Sequence, residues 1–256
     1  EKLQSFYMNR GYADFAIDST QVTIAPDKRE MYIAASVKEG EIYTVSDVHL
    51  LGELILPEDT LRKLVFIHTG DTFNRAAIEG SSNAIKGLLA NIGYAYAKVT
   101  SIPKLDKEKR TVDLTLYVEP GKRVYVRRIV FQGNTRTEDD VLRREMRQFE
   151  GSYYNQAALD RSKIRLQQKG YFKKVDITTP RVPGTDDQID VKVKVEETNS
   201  GSFTFGVGYS QLDKLILSVS VSENNFLGSG DSASVSASKS YYQTAYGVNY
   251  FQPYLT

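Results

Sequence analysis

Asn91-Ile-Gly-Tyr-Ala-Tyr-Ala-Lys-Val99 decides the fold, because it returns on either side as Asn9-Arg-Gly-Tyr-Ala-Asp-Phe-Ala-Ile17 and Gln168-Lys-Gly-Tyr-Phe-Lys-Lys-Val175. The Gly-Tyr pairs fall at 11, 93 and 170, a period of 82 and then 77 residues. Each glycine follows a helix-like pattern, and glycine just past a helix end takes the left-handed conformation that a C-cap needs.

Other landmarks keep the same spacing. Met31, Ile33, Ala35 and Val37 alternate with polar or small residues, as do Val112, Leu114, Leu116 and Val118 at +81 and Ile189, Val191, Val193 and Val195 at a further +77. Alternation with period two predicts a strand with one buried and one wetted face. Val45, Gly52, Asp59-Thr-Leu-Arg62 and Gly70 match Val126, Gly133, Asp140-Val-Leu-Arg143 and Gly151, all at +81. Short helices are expected to start at Pro57-Glu58-Asp59 and Thr137-Glu138-Asp139-Asp140, acidic in the first turn. Ile78, Ile85, Leu88, Leu89 and Ile92 mark a longer helix, matched by Leu159, Lys163 and Leu166, and a four-residue difference between copies falls between 78 and 93. One copy is thus a β-α-α-β-β unit, large enough for two helices on a three-stranded sheet.

Past residue 198 the composition changes to Ser, Gly and Tyr in short alternating runs. Phe203, Phe205, Val207 and Tyr209 alternate with Ser202, Thr204, Gly206 and Gly208. Leu215, Leu217, Val219 and Val221 follow, then Ala233, Val235 and Ala237, and last Tyr242, Tyr246, Val248 and Tyr250 on one face. Runs of about nine to eleven residues suit a tilted membrane strand with a wet face toward a lumen, and tyrosines near strand ends suit an interfacial girdle. A soluble antiparallel sheet would share the wet face. Four such strands cannot close a membrane barrel, so the rest is expected beyond Thr256.

Composition excludes several classes. The 256 residues hold 41% hydrophobic and 25% charged side chains with a net charge of +1, which is that of a folded chain with no preferred partner charge. Zero cysteines rule out disulfides and thiolate metal sites. The two histidines, His49 and His68, sit in strand or loop contexts without a Ser/His/Asp set. Gly206-Val-Gly208 lacks the following helix of a dinucleotide site, and Asp186-Asp187 lies in a turn. The expectation is a non-enzyme with no metal and no cofactor. The chain opens at Glu1 without a charged-then-apolar leader and is expected to be a mature or truncated product.

Several stretches carry a family likeness: Val141-Leu-Arg-Arg-Glu-Met-Arg-Gln148 with Glu150-Gly151, Arg181-Val-Pro-Gly184, Gly201-Ser-Phe-Thr-Phe-Gly-Val-Gly-Tyr209, Asp18-Ser-Thr-Gln-Val22 and Asn225-Phe-Leu-Gly228. With them the repeat resembles the POTRA domain, and the chain resembles the BamA-type family of outer-membrane protein assembly factors. The fold so implied is α+β: tandem POTRA domains followed by antiparallel strands of a truncated transmembrane β-barrel. Residues 1–40 would be the C-terminal part of a third POTRA domain, 41–120 a fourth, 121–198 a fifth, and 199–256 the first barrel strands.

The resemblance implies an outer-membrane location with the POTRA domains in the periplasm. The partners it implies are unfolded outer-membrane protein clients, periplasmic chaperones, outer-membrane lipid and the lipoproteins of the assembly complex, including a helical-repeat one. Arg143 and Glu150 match the positions that bind that lipoprotein. In the family the strand after Gly-Tyr is an edge, so Asp14–Ile24, Tyr96–Ile102 and Phe172–Thr178 would receive client strands by β-augmentation, with Tyr96, Lys98, Thr100, Phe172 and Val175 as the candidate positions. The bland alternative is an edge merely solvated and guarded by Lys98, Lys173 and Lys174. The first barrel strand Gly201–Gln211 would be one side of a lateral gate through Gly201, Phe203, Phe205, Gly206, Gly208 and Tyr209, its glycines weakening pairing.

Residues 122–174 carry fourteen Lys/Arg against six Asp/Glu, Arg127, Arg128, Arg143, Arg144 and Arg147 among them. They are read as contacts for an acidic partner or lipid phosphates, or as an ordinary charged helix face. The alternatives weighed are a related POTRA-barrel translocator, of two-partner secretion or translocation-and-assembly type, and a nucleic-acid binder using the Arg-rich helix. The assembly factor is favoured, with no nucleic acid as partner.

Overall fold

The computed structural model describes residues 2–24 and 31–254. Positions 25–30 of the first expected segment and 255–256 of the last, like Glu1, lie outside the described residues. The N-terminal piece is a helix α1 (Lys2–Met8) and a hairpin in which β1 (Ala16–Ile24) pairs antiparallel with β2 (Met31–Lys38). It leads directly into the first complete module: the Tyr43 amide donates to the Gly11 carbonyl at 2.9 Å, and Asn9 Oδ1 accepts from the Ala76 amide at 2.9 Å.

That module runs β3 (Thr44–Gly52), α2 (Glu58–Arg62), α3 (Arg75–Asn91), β4 (Lys98–Asp106), β5 (Thr111–Glu119), with the sheet order β3-β5-β4. The second runs β6 (Tyr125–Gln132), α4 (Asp139–Glu145), α5 (Gln156–Gln168), β7 (Phe172–Thr178), β8 (Gln188–Glu197), with the order β6-β8-β7. The β-α-α-β-β order is the one the repeat predicts. The last strand of each copy takes the centre, parallel to the first and antiparallel to the one before it. A parallel pair needs a long crossover, and the helix pair supplies it.

The alternating residues set the core. Val112, Leu114, Leu116 and Val118 are buried against Ile78, Ile85 and Leu89 of α3, and Ile189, Val191, Val193 and Val195 are buried with Leu159 and Leu166 of α5. Each such side chain contributes about 1.5–3 kcal/mol relative to leaving it in water. Both long helices start at an asparagine whose side chain accepts from an amide three residues on, Asn74 from Ala77 and Asn155 from Ala158. α3 has 17 residues and α5 has 13, the expected four-residue difference. A buried serine ties each long helix to the loop before it: Ser81 accepts from the Phe66 amide and Ser162 from the Arg147 amide, both at 2.8 Å. Gly52 and Gly133 end the first strands at positive φ, where a Cβ would lie 2.2 and 2.1 Å from the Val118 and Val195 carbonyl oxygens of the central strands.

The C-terminal part is one antiparallel sheet of β9 (Gly201–Ser210), β10 (Lys214–Phe226), β11 (Asp231–Lys239) and β12 (Thr244–Phe251) in the order β12-β11-β10-β9. Tyr242, expected on the face of Tyr246, lies instead in the β11–β12 turn, outside any strand.

Candidate functional site

Three places could act on another molecule: the free strand edges of the modules, the four-stranded sheet, and the joint between that sheet and the second module.

β4 and β7 are edges. Which of their backbone groups face outward follows from two observations. The Glu53 amide donates to the Val118 carbonyl at 3.0 Å, so Val118 spends its backbone groups on the β3 side, and its partner Val99 must point away from β5. Pro103 has no N–H and pairs in the same uninterrupted register, which assigns it to the same outward set as Val99, Ser101 and Leu105. In the second module the Val195 carbonyl faces Gly133 in the same way, so Val175 and Ile177 point outward from β7.

The candidate edge residues are redistributed accordingly. Lys98 and Thr100 are exposed on β4 but turn their backbone groups inward to β5, in the opposite parity to Val99. Tyr96 lies in the turn before β4, not on the strand, because the chain there follows the Gly93 cap rather than the ladder. Phe172 and Val175 are on β7, but their side chains are buried in the core, leaving only backbone at the edge.

In the four-stranded sheet, Phe203, Phe205, Val207 and Tyr209 stand opposite Val221, Val219, Leu217 and Leu215. The same face continues through Val235 and Ala237 to Val248 and Tyr246. These large side chains are exposed, Phe203 at 70% and Val248 at 78%. Ser202, Thr204, Gly206 and Gly208 with Ser218, Ser220, Ser222, Ser234 and Ser236 occupy the other face. An apolar face open to the surroundings beside a polar face is the pattern of a lipid-facing barrel wall. The ten residues of β9 reach about 33 Å at ~3.3 Å per residue. Tilted, they cover roughly the 25 Å apolar band of such barrels. Gly201, Gly206 and Gly208 all lie on β9, an edge of this sheet.

The joint is built from polar groups. Glu197, the last residue of β8, accepts from the amides of Thr135, Arg136 and Thr137 at 2.8–3.2 Å. Burial pushes its carboxyl up, but these bonds outweigh burial and hold it below the usual glutamate range. Thr137 Oγ1 accepts from Asn225 Nδ2 at 2.8 Å, the Glu138 amide donates to the Gly228 carbonyl at 3.0 Å, and the Tyr171 hydroxyl donates to the Gly230 carbonyl at 3.1 Å. The β10–β11 turn is thereby fastened to the start of α4, with a hollow of about 450 Å³ between Arg136, Tyr171, Glu223 and Leu227.

Farther along α4, Glu145 is 1% exposed yet ionised, meeting Arg165 at 2.7 Å and Lys169 at 2.8 Å. The Tyr254 hydroxyl donates to the same carboxylate and accepts from Lys169 Nζ at 2.8 Å. Burial alone would raise the Glu145 carboxyl; the Lys169 and Tyr254 bonds and the two cations overcome it and lower it. Burial likewise opposes the Lys169 charge, and its bonds to Glu145 and Tyr254 win, raising it.

Arg143 and Glu150 lie together, 3.4 Å apart, on the exposed side of the second module. Both also serve the fold: Glu150 accepts from the Ile129 amide at 2.6 Å and Arg143 reaches the Ile129 carbonyl at 3.4 Å. The basic cluster is therefore not uniformly available. Arg127 makes two bonds to Asp190 at 2.7 and 2.8 Å, Arg128 adds one at 3.2 Å, and the Arg127 bonds, with those of Arg128, hold Asp190 low against its burial. Arg144 lies over the Tyr254 ring at 5.3 Å. Among the described residues no group of His, Cys, Asp and Glu is arranged to hold a metal ion, and no helix is long and apolar enough to cross a membrane.

Glu145, Lys169, Glu197 and Tyr254 were not singled out by sequence. The one signal was inside the repeat, since Glu145 stands where the first copy has Leu64.

Comparison with known proteins gives three results. The POTRA family model, described as surface antigen variable number repeat, matches residues 1–40, 43–121 and 124–198. The chain is 34% identical to the outer membrane protein assembly factor BamA of Neisseria meningitidis serogroup B, over 100% of this chain and 32% of that protein. It is 33% identical to BamA of Buchnera aphidicola, over 99% of this chain and 41% of that protein. The chain thus spans well under half the length of the curated relatives it matches. Among solved structures, BamA from Haemophilus ducreyi lacking POTRA domains 1–3 superposes with a TM-score of 0.75 at 36% identity, covering 84% of this chain and 40% of that one. Haemophilus influenzae BamA POTRA3-5 gives a TM-score of 0.69 at 37% identity, covering 76% and 77%.

Proposed function

The chain belongs to the POTRA family, and on that footing we propose that it is a stretch of an outer-membrane β-barrel assembly factor. Its modules are the end of the third, the fourth and the fifth POTRA domains (1–40, 41–120, 121–198), standing in the periplasm, and residues 199–256 open the barrel. The modules receive unfolded outer-membrane proteins by strand pairing, and the barrel folds and inserts them. The observation that carries this is one of continuity: modules with free strand edges run, three residues after β8, into a sheet in which Phe203, Phe205, Val207, Tyr209 and the apolar residues paired with them share one exposed face. The chemistry required is binding and release of strands, with no bond made or broken.

β9 is one side of the gate in this reading. Its Phe203, Phe205 and Tyr209 face lipid, while Gly201 and Gly206 let Glu223 and Ser218 of β10 approach closely, 2.9 and 2.6 Å from where a Cβ would stand. The test is the complete protein in lipid vesicles with an unfolded outer-membrane protein added, reading folded client by gel mobility. A disulfide fixing β9 to the strand that closes the barrel should stop folding, and reduction should restore it. Undiminished folding with the bridge intact would sink the gate.

Arg143 and Glu150 are the proposed contact for the helical-repeat lipoprotein. Exposed Phe149 beside them, at 66%, supplies an apolar anchor of the kind interface centres use. Charge reversal at Arg143 should reduce co-purification of the lipoprotein; unchanged recovery would remove the assignment. The translocator alternative has no observation in its favour here.

A further inference from the structure

The two complete modules both present an edge strand, but the edges are not equivalent. β4 is nine residues long and pairs with β5 without a break in register. β7 has seven residues and a register shift between Phe172 and Lys174. On an edge, an added strand sets half its side chains beside the exposed face of its host.

On β4 that face carries Thr100 and Ile102; Tyr117 and then Leu51 stand behind Thr100, Thr115 and His49 behind Ile102, so the apolar groups Leu51, Tyr117 and Ile102 run diagonally across the sheet. Ile102 and Leu51 are each 52% exposed and Tyr117 41%. The lysines Lys98 and Lys104 stand opposite Glu119 and Asp113, at the two ends of the strip and not within it. On β7 the corresponding face carries Lys174 and Asp176, joined at 2.8 Å, with Glu196, Lys194 and Lys192 opposite. An apolar side chain laid there would strip water from an ion pair that gains little in return.

Resting on the reading that these modules take client strands by edge pairing, we infer that β4 is the selective edge, and that its occupant is an amphipathic strand with apolar residues at every second position. Its backbone pairs with the outward groups of Val99 and Ser101. Pro103 limits the register, because it offers a carbonyl and no N–H. The apolar set of the occupant extends the Leu51–Tyr117–Ile102 strip by one more strand. A membrane-barrel strand has this pattern, as Phe203, Phe205, Val207 and Tyr209 of β9 illustrate. Soluble extended segments without alternation gain only the backbone bonds.

The test uses the complete protein that carries these residues, in detergent. The probes are a synthetic peptide with the sequence of residues 201–211 and a peptide of the same composition with alternation destroyed. Hydrogen exchange by mass spectrometry is read on fragments covering 98–106 and 172–178. The alternating peptide should slow exchange in 98–106 and leave 172–178 unchanged, and the scrambled peptide should do neither. Ser101→Pro, which removes an outward N–H and leaves the β4–β5 ladder intact, should abolish the protection, and Ile102→Lys should weaken peptide binding about tenfold. Exchange in β5 and α3 confirms that both variants stay folded. Equal protection of 172–178, or equal binding of the scrambled peptide, overturns the selectivity and leaves edge pairing standing. Protection of neither edge, with client folding unaffected by Ser101→Pro and Ile177→Pro, overturns the edge-pairing reading itself.

Discussion

Leu64 of the first complete module stands where Glu145 stands in the second, 81 residues on, and Leu88 stands where Lys169 does when the long helices are counted from their caps at Asn74 and Asn155. In the first, both leucines pack partly buried against the core and need nothing further. In the second, the same two places hold a carboxylate and an ammonium that bind each other, Arg165 and the Tyr254 hydroxyl. The fold tolerates either, because the rest of the core is unchanged at Leu61/Leu142 and Ile85/Leu166. What differs is reach. A leucine pair closes a module on itself, whereas an ion pair keeps directional valence and can fix a hydroxyl from another element. The repeat has thus been turned at one spot from a self-contained unit into a socket for the segment that follows β12.

The sharpest way to break the comparison is Glu145→Gln. It leaves Lys169 and Arg165, which keep 23% and 39% of their side chains exposed, facing an uncharged amide, and the loss of charged hydrogen bonds of this kind costs about 1.5–3 kcal/mol. Denaturant unfolding followed by a probe in α5 should shift by that order, while Leu64→Gln in the first module should cost less. The double change Glu145→Leu with Lys169→Leu should recover most of the stability yet free Tyr254, seen as faster exchange at residues 252–254. If Tyr254 stays protected, the socket account is wrong.

Acid should mimic the first change more weakly. The Glu145 carboxyl is lower in the folded state than its ordinary value of 4.5, so its stabilisation is complete above that pH and fades as pH falls through the folded value. Lys169 is raised above its ordinary 10.5, so its share is complete below that and fades only as pH rises past the folded value. Protection at 252–254, the slowing of exchange relative to an unstructured peptide at the same pH, should therefore be flat from about pH 5 to 10 and fall in acid. The first module, with leucines at those places, should show no matching transition near Leu64.

A smaller effect is expected at the β10–β11 turn. Gly228 sits at φ +85° with the Arg136 carbonyl 2.0 Å from where a Cβ would go, while Gly151 has φ +74° and open space. Gly151→Ala should cost about 1–2 kcal/mol for the backbone alone, and Gly228→Ala should cost more and loosen the Glu138–Gly228 bond. Equal losses in thermal unfolding would mean the turn is not seated on α4. Smallest of all is Tyr153, stacked on Tyr125 at 4.5 Å with Arg123 3.8 Å above it, where the first module has Thr72 and Thr44. Tyr153→Thr should cost about 1 kcal/mol and leave the ladder intact.

Much of this architecture was legible because repetition amplifies weak signals. Three Gly-Tyr pairs and two runs of alternating valine and leucine placed every strand after the helices, and the spacing between copies located the longer α3. Strand order was not legible, since alternation says which face is buried and not which neighbour is parallel. Arg127 and Arg128 read as free charge because Asp190, their partner, lies more than 60 residues away in sequence on β8. Glu145 drew no notice because a carboxylate in a helix is nearly always at the surface, and one of its partners, Tyr254, comes 109 residues later. At the edges, sequence named residues on strands that the sheets leave outermost, and what it could not show is which of them turn backbone outward: on β4 Lys98 and Thr100 display their side chains, and the outward backbone belongs to Val99 and Ser101.

Glu197 carries one more consequence. It ends β8 with its carboxylate fixed on the 135–137 turn, and β9 begins at Gly201, so Thr198, Asn199 and Ser200 are all the chain that lies between. Four Cα steps span at most about 14 Å, a coupling without slack. The end of β8 and the start of β9 therefore cannot move apart by more than that length, whatever displaces either of them. β9 is in effect tethered on a short leash to the module before it.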